Sequence, residues 1–364
     1  MKILIASGGT GGHLYPACVL ARKLKERNCE ILLAARVNAS APKEILLPDI
    51  SKVLLEGAPL YRSNLFKNIP GIISNFKGFL KGFSVVRQFK PDAAVGFGGY
   101  ASVPVLWACA LKGVPILIHE QNVVPGLANR ICASFAQRVA VSFKETLLTF
   151  PNKGVWIGNL VREELFHQDR TFALQNLGLT EGKITVLIFG GSAGARNINQ
   201  VLGKCLESLK DCTGRLQFIH QTGNCDDTLN LKNQYRAMGF TAVVREYFHK
   251  MGPCYSAADL VISRAGAGAI SELMATRKPA FLIPYPSAAA NHQLKNAEIL
   301  SKTGAARILT ESQDLGERLV NSLREIVSSE DILKKMKESY DPISPMLKEA
   351  PEKLADLAQS LAKK

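Results

Sequence analysis

Residues 1–24 read MKILIASGGTGGHLYPACVLARKL. The apolar run "KILIAS" at 2–7 ends in "GGTGGH" at 8–13, after which apolar residues recur at helical spacing through "YPACVLARKLKERN". A strand that is apolar on both faces belongs in a parallel sheet covered on both sides. "EILLAA" at 30–35 is the next strand, followed by "AAVGF" at 93–97, "PILIHE" at 115–120 and "RVAVS" at 138–142, with helix-like segments between them. Alternating strand and helix predicts a doubly wound α/β domain. The pattern pauses at "GVWIGNLVREEL" (154–165) and restarts at "ITVLIFGGSAGARNINQVL" (184–202). "LQFIHQTG", "AVVREYF", "DLVISRAGAGAISELM" and "PAFLIPYP" continue it. Two α/β domains in tandem are predicted, about 1–158 and 159–344, with a boundary near 155–162 and a helical tail at 351–364. Open parallel sheets bind ligands beyond the carboxyl ends of their strands, so a cleft between the two sheets is the expected site.

Composition narrows the class. The chain has 364 residues, 47% hydrophobic and 21% charged, as a globular protein of two domains does. No apolar run reaches the roughly 18–20 residues of a membrane span, and the N-terminus lacks the pattern of a signal peptide. Eight cysteines without a C-x-x-C pair or metal-ligand spacing are expected to be reduced and buried. The net charge of +14 is uneven: residues 1–158 hold 19 Lys and Arg against 8 Asp and Glu, and residues 159–364 hold 26 against 23. An anionic partner is expected on the first half, whether nucleic acid, phosphorylated substrate or anionic lipid.

Three strand–glycine–helix units stand out: "IASGGTGGH", "GFGGYAS" at 96–102 and "FGGSAGAR" at 189–196. Glycine lets backbone N–H groups approach an anion, and a helix start adds unpaired N–H groups and a positive dipole end. Phosphate is the expected ligand. The dinucleotide pattern G-x-G-x-x-G fails at Leu14, the strand after it ends in Arg36, and no G-x-x-x-x-G-K-[ST] occurs. His13 falls in the first helical turn, where the helix end disfavours the imidazolium, so the ring is a candidate proton acceptor. "LIHEQNVVPGLANR" (117–130) sets His119, Glu120, Gln121 and Asn122 beyond a strand, a cluster suited to sugar hydroxyls. "SRAGAGAISEL" (263–273) places small residues at a helix start and Glu272 farther along, either an exposed helix glutamate or a carboxylate able to accept both hydrogens of a ribose diol.

Between Glu56 and Asp92 there is no acidic residue. Phe76, Phe79, Leu80 and Phe83 share one helical face, Ile72 and Ile73 extend it, and Lys77 and Lys81 flank it. Either an amphipathic helix packs on the core there, or apolar residues dip into a bilayer while lysines meet anionic headgroups. Gly78 and Gly82 weaken the helix and speak for the second. Stacking on nucleic acid fits less well, because the aromatics share one face instead of tracking a groove.

Taken in order, "GGTGGHLYPA", "GFGGYAS", "HEQN", "GLANR", "GNLVR", "GGSAGARNIN", "SRAGAGAISE" and "NHQLKNA" resemble the MurG family of peptidoglycan GlcNAc transferases, glycosyltransferase family 28, from residue 3 to about 300. The resemblance implies a GT-B fold of two Rossmann-like domains, with the last helix (about 345–364) returning to the first. It implies a hexosyltransferase moving GlcNAc from UDP-GlcNAc to the C4 hydroxyl of MurNAc in lipid I, giving lipid II for the cell wall and, through it, cell shape and division. Implied donor contacts are Thr10, Gly11, Gly12, Asn122, Arg162, Ser192, Phe248 (by its backbone, to uracil), Gly266, Ala267, Gly268, Ala269, Ile270, Ser271, Glu272 (to ribose) and Gln293. Gly98, Gly99 and Tyr100 fall at the acceptor diphosphate. The family implies a peripheral enzyme on the cytoplasmic face of the bacterial plasma membrane, among cell-wall synthesis proteins and without nucleic acid. Leu160 stands where the family has proline, and Ala290 where an acid is common. An inverting displacement needs a base near the acceptor hydroxyl, with His13 the first candidate and Glu120 the second. No D-x-D occurs, so no carboxylate-held metal or other cofactor is required. Other readings are a diacylglycerol-type GT-B enzyme, a UDP-sugar epimerase or a membrane adaptor without catalysis.

Overall fold

A computed structural model describes the chain except Thr10, residues 37–48, 56–68, 168, 192–194, 330, 341–343 and 363–364, and the side chains of 69–76, 225 and 344–345. It divides into two units, Met1–Leu160 with Met346–Lys364, and Val161–Pro345.

The first unit runs β1 (Lys2–Ser7), α1 (Gly11–Glu26), β2 (Glu30–Ala35), β3 (Ser51–Leu54), α2 (Ile69–Phe89), β4 (Ala93–Gly96), α3 (Ser102–Leu111), β5 (Ile116–Glu120), α4 (Leu127–Phe135), β6 (Arg138–Val141) and β7 (Gly154–Trp156). Its strands form one sheet in the order β3-β2-β1-β4-β5-β6-β7, every pairing parallel. β1 and β4 lie side at side although far apart in sequence, so the chain winds outward from them in both directions, the switch point of a doubly wound sheet. "GVW", which opens the stretch where the sequence pattern pauses, is the edge strand β7, because Val139, Ala140 and Val141 pair with it. Ile3 and Ile5 face a core of α1 residues including Leu14, Leu20 and Leu24, and Leu4 and Ala6 face a second core toward α2, α3 and α4. That two-sided burial is why β1 carries no alternation.

The second unit runs α5 (Arg170–Leu177), β8 (Ile184–Phe189), α6 (Arg196–Ser208), β9 (Leu216–Gln221), α7 (Cys225–Ala237), β10 (Thr241–Arg245), α8 (Gly252–Ala257), β11 (Leu260–Ser263), α9 (Ala267–Thr276), β12 (Ala280–Leu282), α10 (His292–Thr303), β13 (Ala306–Ile308), α11 (Leu315–Ser328) and α12 (Asp331–Glu338). Its parallel sheet is ordered β10-β9-β8-β11-β12-β13, with the switch at β8 and β11. The last helix, α13 (Ser344–Ala362), belongs with the first unit. Its Leu354, Ala355, Ala358 and Leu361 are buried in the α1 core, and Lys23–Glu352 (2.9 Å) and Arg27–Asp356 (2.7 Å) clip it to α1.

Candidate active site

In the first unit, the glycine turns after β1 and β4 press against each other. The Gly8 N–H donates to the Gly98 carbonyl at 2.7 Å. A Cβ on Gly8 would lie 2.8 Å from Gly99 Cα, and one on Gly99 would lie 2.5 Å from Gly8 Cα. Gly98 and Gly99 have φ of +87° and +82°, the left-handed region. These glycines therefore serve contact between the two loops. Gly12 differs, since a Cβ there meets nothing within 4 Å. His13 is half-buried in the first turn of α1. Pro16 lies inside that helix and has no N–H to give the Gly12 carbonyl, so the turn bearing His13 is held by fewer helical bonds than those that follow. The exposed Tyr100 precedes α3, whose Ser102 sends its N–H (3.1 Å) and hydroxyl (2.8 Å) to the Gly99 carbonyl.

The polar cluster after β5 requires a correction. His119, Glu120 and Gln121 are buried and bonded to protein, not presented to a ligand. Gln121 Nε2 meets His119 Nδ1 at 3.1 Å, and His119 Nε2 faces the Gly158 carbonyl at 3.5 Å. Burial pulls the imidazole down to about 4, so it is neutral. The Glu120 carboxylate accepts from the N–H and amide of Asn122 (2.8 and 3.2 Å), the Gly126 N–H (3.1 Å) and Asn129 Nδ2 (2.8 Å). Burial raises its pKa, while these donors pull it back. A carboxylate 1% exposed with four donors on it organises the loop from Asn122 to Gly126 and is out of place as a base. Asn122 is half-buried and is the member of the cluster nearest the surface.

The second unit supplies a charged pair. Arg162 Nε lies 3.6 Å from Glu272 Oε1, both side chains mostly buried, at 20% and 14% exposure. Glu272 rides α9, which Gly266 caps with extended backbone. The Ile270 N–H closes the first helical bond to the Gly266 carbonyl, so the amides at 268 and 269 belong to the turn whose N–H groups no intrahelical carbonyl can accept. Added Cβ atoms at Gly266 and Gly268 meet nothing within 4 Å, which leaves room at that helix end. Ala267 and Ala269 flank Gly268 in this turn. Ile270 is fully buried, and the buried Ser271 returns its hydroxyl to the Ala267 carbonyl at 2.8 Å, so neither side chain is turned to the surface. The Phe248 N–H donates to Gln221 Oε1 (2.9 Å), and Gln221 Nε2 donates to the Gly191 carbonyl (3.2 Å). A base read by the Phe248 backbone thus falls to its carbonyl. Gln293 Oε1 accepts from the Tyr285 N–H (2.9 Å), which aims its NH₂ end elsewhere. Ala290 and Asn291 both have positive φ, +51° and +52°, just ahead of α10. Thr10 and Ser192 lie outside the described residues.

Sequence reasoning missed Gln221, Glu164, Tyr255 and Asn296, which brace this site. Asn296 is fully buried and ties α10 to the Ala265 carbonyl at 3.2 Å. It stands in "NHQLKNA", but nothing in a one-dimensional reading joins it to residue 265.

The basic helix is α2, as expected, but its apolar face is divided. Phe79 and Phe83 are partly buried against the core, and Phe79 meets Trp107 of α3 at 5.2 Å between ring centroids. Gly78 and Gly82 are buried, and a Cβ on Gly82 would lie 2.9 Å from Val105 Cα. Gly82 thus allows two helices to approach, and the burial of both glycines corrects the view that they argue against packing. Leu80, Trp107 and Leu111 are exposed, and Lys77 and Lys81 stand beside Leu80 on the outer side of α2. Lys112 lies 4.7 Å over the Phe83 ring. Ile72, Ile73 and Phe76 fall on α2 with side chains outside those described. Among the described residues no helix is long and apolar enough to cross a membrane.

Two doubly wound parallel sheets, each with a glycine turn and helix start at its switch point, define the GT-B class of glycosyltransferase. The glycosyltransferase family 28 N-terminal domain model matches residues 3–141, and the family 28 C-terminal domain model matches residues 185–359. A protein of Halothermothrix orenii, named UDP-N-acetylglucosamine–N-acetylmuramyl-(pentapeptide) pyrophosphoryl-undecaprenol N-acetylglucosamine transferase, is 38% identical over 93% of this chain and 94% of its own length. A Bacillus subtilis protein of the same name is 36% identical over 93% and 94%. The crystal structure of Acinetobacter baumannii MurG superposes with a TM-score of 0.73 at 27% identity, covering 99% of each chain. The chain belongs to glycosyltransferase family 28.

Proposed function

We propose that this chain transfers GlcNAc from UDP-GlcNAc to the C4 hydroxyl of MurNAc in lipid I, with inversion, to give lipid II. The observation that carries the reading is likeness over nearly the full chain to relatives named for that transfer. Residue roles follow from chemistry. The second unit holds the donor: Glu272 accepts from the ribose hydroxyls, the first-turn amides of α9 and the Arg162 guanidinium meet the diphosphate, the Phe248 carbonyl takes the uracil N–H, and the Gln293 amide donates to the sugar. In the first unit Asn122 reaches the GlcNAc moiety. The α3 end at Gly98, Gly99 and Tyr100 faces the acceptor diphosphate, and His13 takes the C4 proton as the glycosidic bond to UDP breaks. Preorganised N–H groups suit the charge that grows on the departing diphosphate. The transfer needs no metal.

The exposed Leu80, Trp107 and Leu111, rimmed by Lys77, Lys81 and Lys112, support peripheral attachment to an anionic bilayer at the cytoplasmic face, where a lipid-linked acceptor resides. Incubation with UDP-GlcNAc and a lipid I analogue, with and without a chelator, is expected to release UDP and form the disaccharide product equally in both. Product only with diacylglycerol would select the rival lipid transferase, and loss of product on chelation would overturn the metal-free account.

A further inference from the structure

Glu272 has a buried partner that the transfer chemistry leaves unexplained. Tyr255 on α8 is fully buried, its ring edge-on to Phe189 at 6.1 Å, and its hydroxyl donates to Glu272 Oε2 at 3.0 Å. The other carboxylate oxygen faces Arg162 Nε at 3.6 Å. α8 is itself pinned from the segment that bears Arg162. Glu164 Oε1 accepts the N–H groups of Met251 (3.0 Å) and Gly252 (3.1 Å), and a Cβ on Gly252 would lie 3.1 Å from the Glu164 carbonyl oxygen. Residues 162–164, α8 and α9 thus close a ring around one carboxylate.

A carboxylate offers about four lone-pair directions, two on each oxygen. The phenol occupies one on Oε2, and the guanidinium lies beside Oε1. Because the 3.6 Å approach of Arg162 is an ion pair longer than a hydrogen bond, at least one direction remains on each oxygen, and two acceptors so spaced match the two hydroxyls of a cis-diol. Phenylalanine would fill the same core volume, so packing does not require the hydroxyl. We propose that Tyr255 is a positioning residue for the donor: its hydroxyl fixes Glu272 in the orientation that accepts both ribose hydroxyls, and so sets the preference for a ribonucleotide over its 2′-deoxy counterpart. The proposal rests on Glu272 being the ribose acceptor.

The test measures kcat and KM with UDP-GlcNAc and with 2′-deoxy-UDP-GlcNAc for the wild type, Tyr255→Phe and Glu272→Ala, with thermal melts of each. Calorimetric titration with UDP and dUDP reads the same preference without turnover. For Tyr255→Phe, the KM for UDP-GlcNAc is expected to rise about 5- to 10-fold, that for the deoxy donor to stay within about twofold, and kcat to hold. Glu272→Ala should erase the preference altogether. If Glu272→Ala erases it and Tyr255→Phe keeps it in full, the proposal is wrong while the ribose reading stands. If Glu272→Ala leaves the preference intact, the ribose reading fails and the proposal with it. An equal KM rise on both donors with a lowered melting temperature makes Tyr255 a core residue only, and also overturns the proposal.

Discussion

His13, in a first helical turn, and Glu120, at the end of a strand, are the first and second candidates for the base, and their surroundings differ. Glu120 ends β5, a strand interior to the sheet, so its carboxylate is enclosed and answers four loop donors. Glu120→Gln would set an NH₂ group against those donors and is expected to cost about 1–3 kcal/mol of stability, read by denaturant unfolding, and to raise the KM for UDP-GlcNAc through the loosened Asn122 while kcat is kept. His13→Ala should behave in the opposite way, cutting turnover roughly 10²–10⁴-fold with UDP binding and stability retained. Unchanged turnover in His13→Ala removes it as the base. Two buried histidines add a pH dependence. His119 is held down to about 4 and His220 to about 3, each chiefly by burial. His220 sits between the Tyr235 hydroxyl and Asn199 Oδ1, at 3.1 Å from each. Both rings are neutral when folded and protonate near pH 6.5 when unfolded, so the stability they confer is complete above that pH and is lost as pH falls toward the folded values. Each unit should lose about 2 kcal/mol between pH 7 and pH 5. Denaturation midpoints that do not move over this interval would contradict the burial of both rings.

Helix α2 illustrates how far periodicity carries and where it stops. The spacing of Phe79, Leu80 and Phe83 announces a helix with one apolar side, and the helix is there. Which part of that side meets protein depends on α3, whose Val105 requires the glycine at 82 and whose Trp107 takes Phe79. No local pattern encodes a neighbour on the next helix, one strand further along the chain. Among the described residues, Phe79 and Phe83 turn to protein, and Leu80, Trp107 and Leu111 are the exposed apolar members of this region. Reversing charge at Lys77 and Lys81 together should weaken binding to anionic vesicles about 10-fold or more while sparing transfer to a short-chain soluble acceptor, since each lysine near the surface contributes about 1 kcal/mol. Equal binding of the wild type to neutral and anionic vesicles would count against this surface. β1 and the turn after it were readable for the converse reason: strand, glycines and helix are contiguous, and each states its own conformation. Tyr255, Gln221 and Asn296 were not readable, because each acts on a residue brought close only by the folded sheet.

The chain returns to its beginning, with α13 packed on α1 and clipped to it at Lys23 and Arg27. Apolar contact should dominate this docking over the ion pairs, which are partly in water. Leu354→Ala is expected to destabilise the first unit by about 2–4 kcal/mol, and Glu352→Ala by no more than about 1 kcal/mol, in thermal or denaturant unfolding. A larger effect from Glu352 would reverse that ranking. Both doubly wound units were visible in the alternation of strands and helices, and their division at Leu160 falls within the stretch where that alternation pauses. The edge strands β3, β7 and β13 were less visible, being three or four residues long and half-exposed or edged by polar residues. The central claim is a direct displacement of UDP from GlcNAc by the acceptor C4 hydroxyl. Proton NMR of the new linkage, formed from α-linked UDP-GlcNAc and a lipid I analogue, tests it most directly. A β-linked disaccharide is the predicted product; an α linkage, or UDP released with free GlcNAc and no disaccharide, would contradict it.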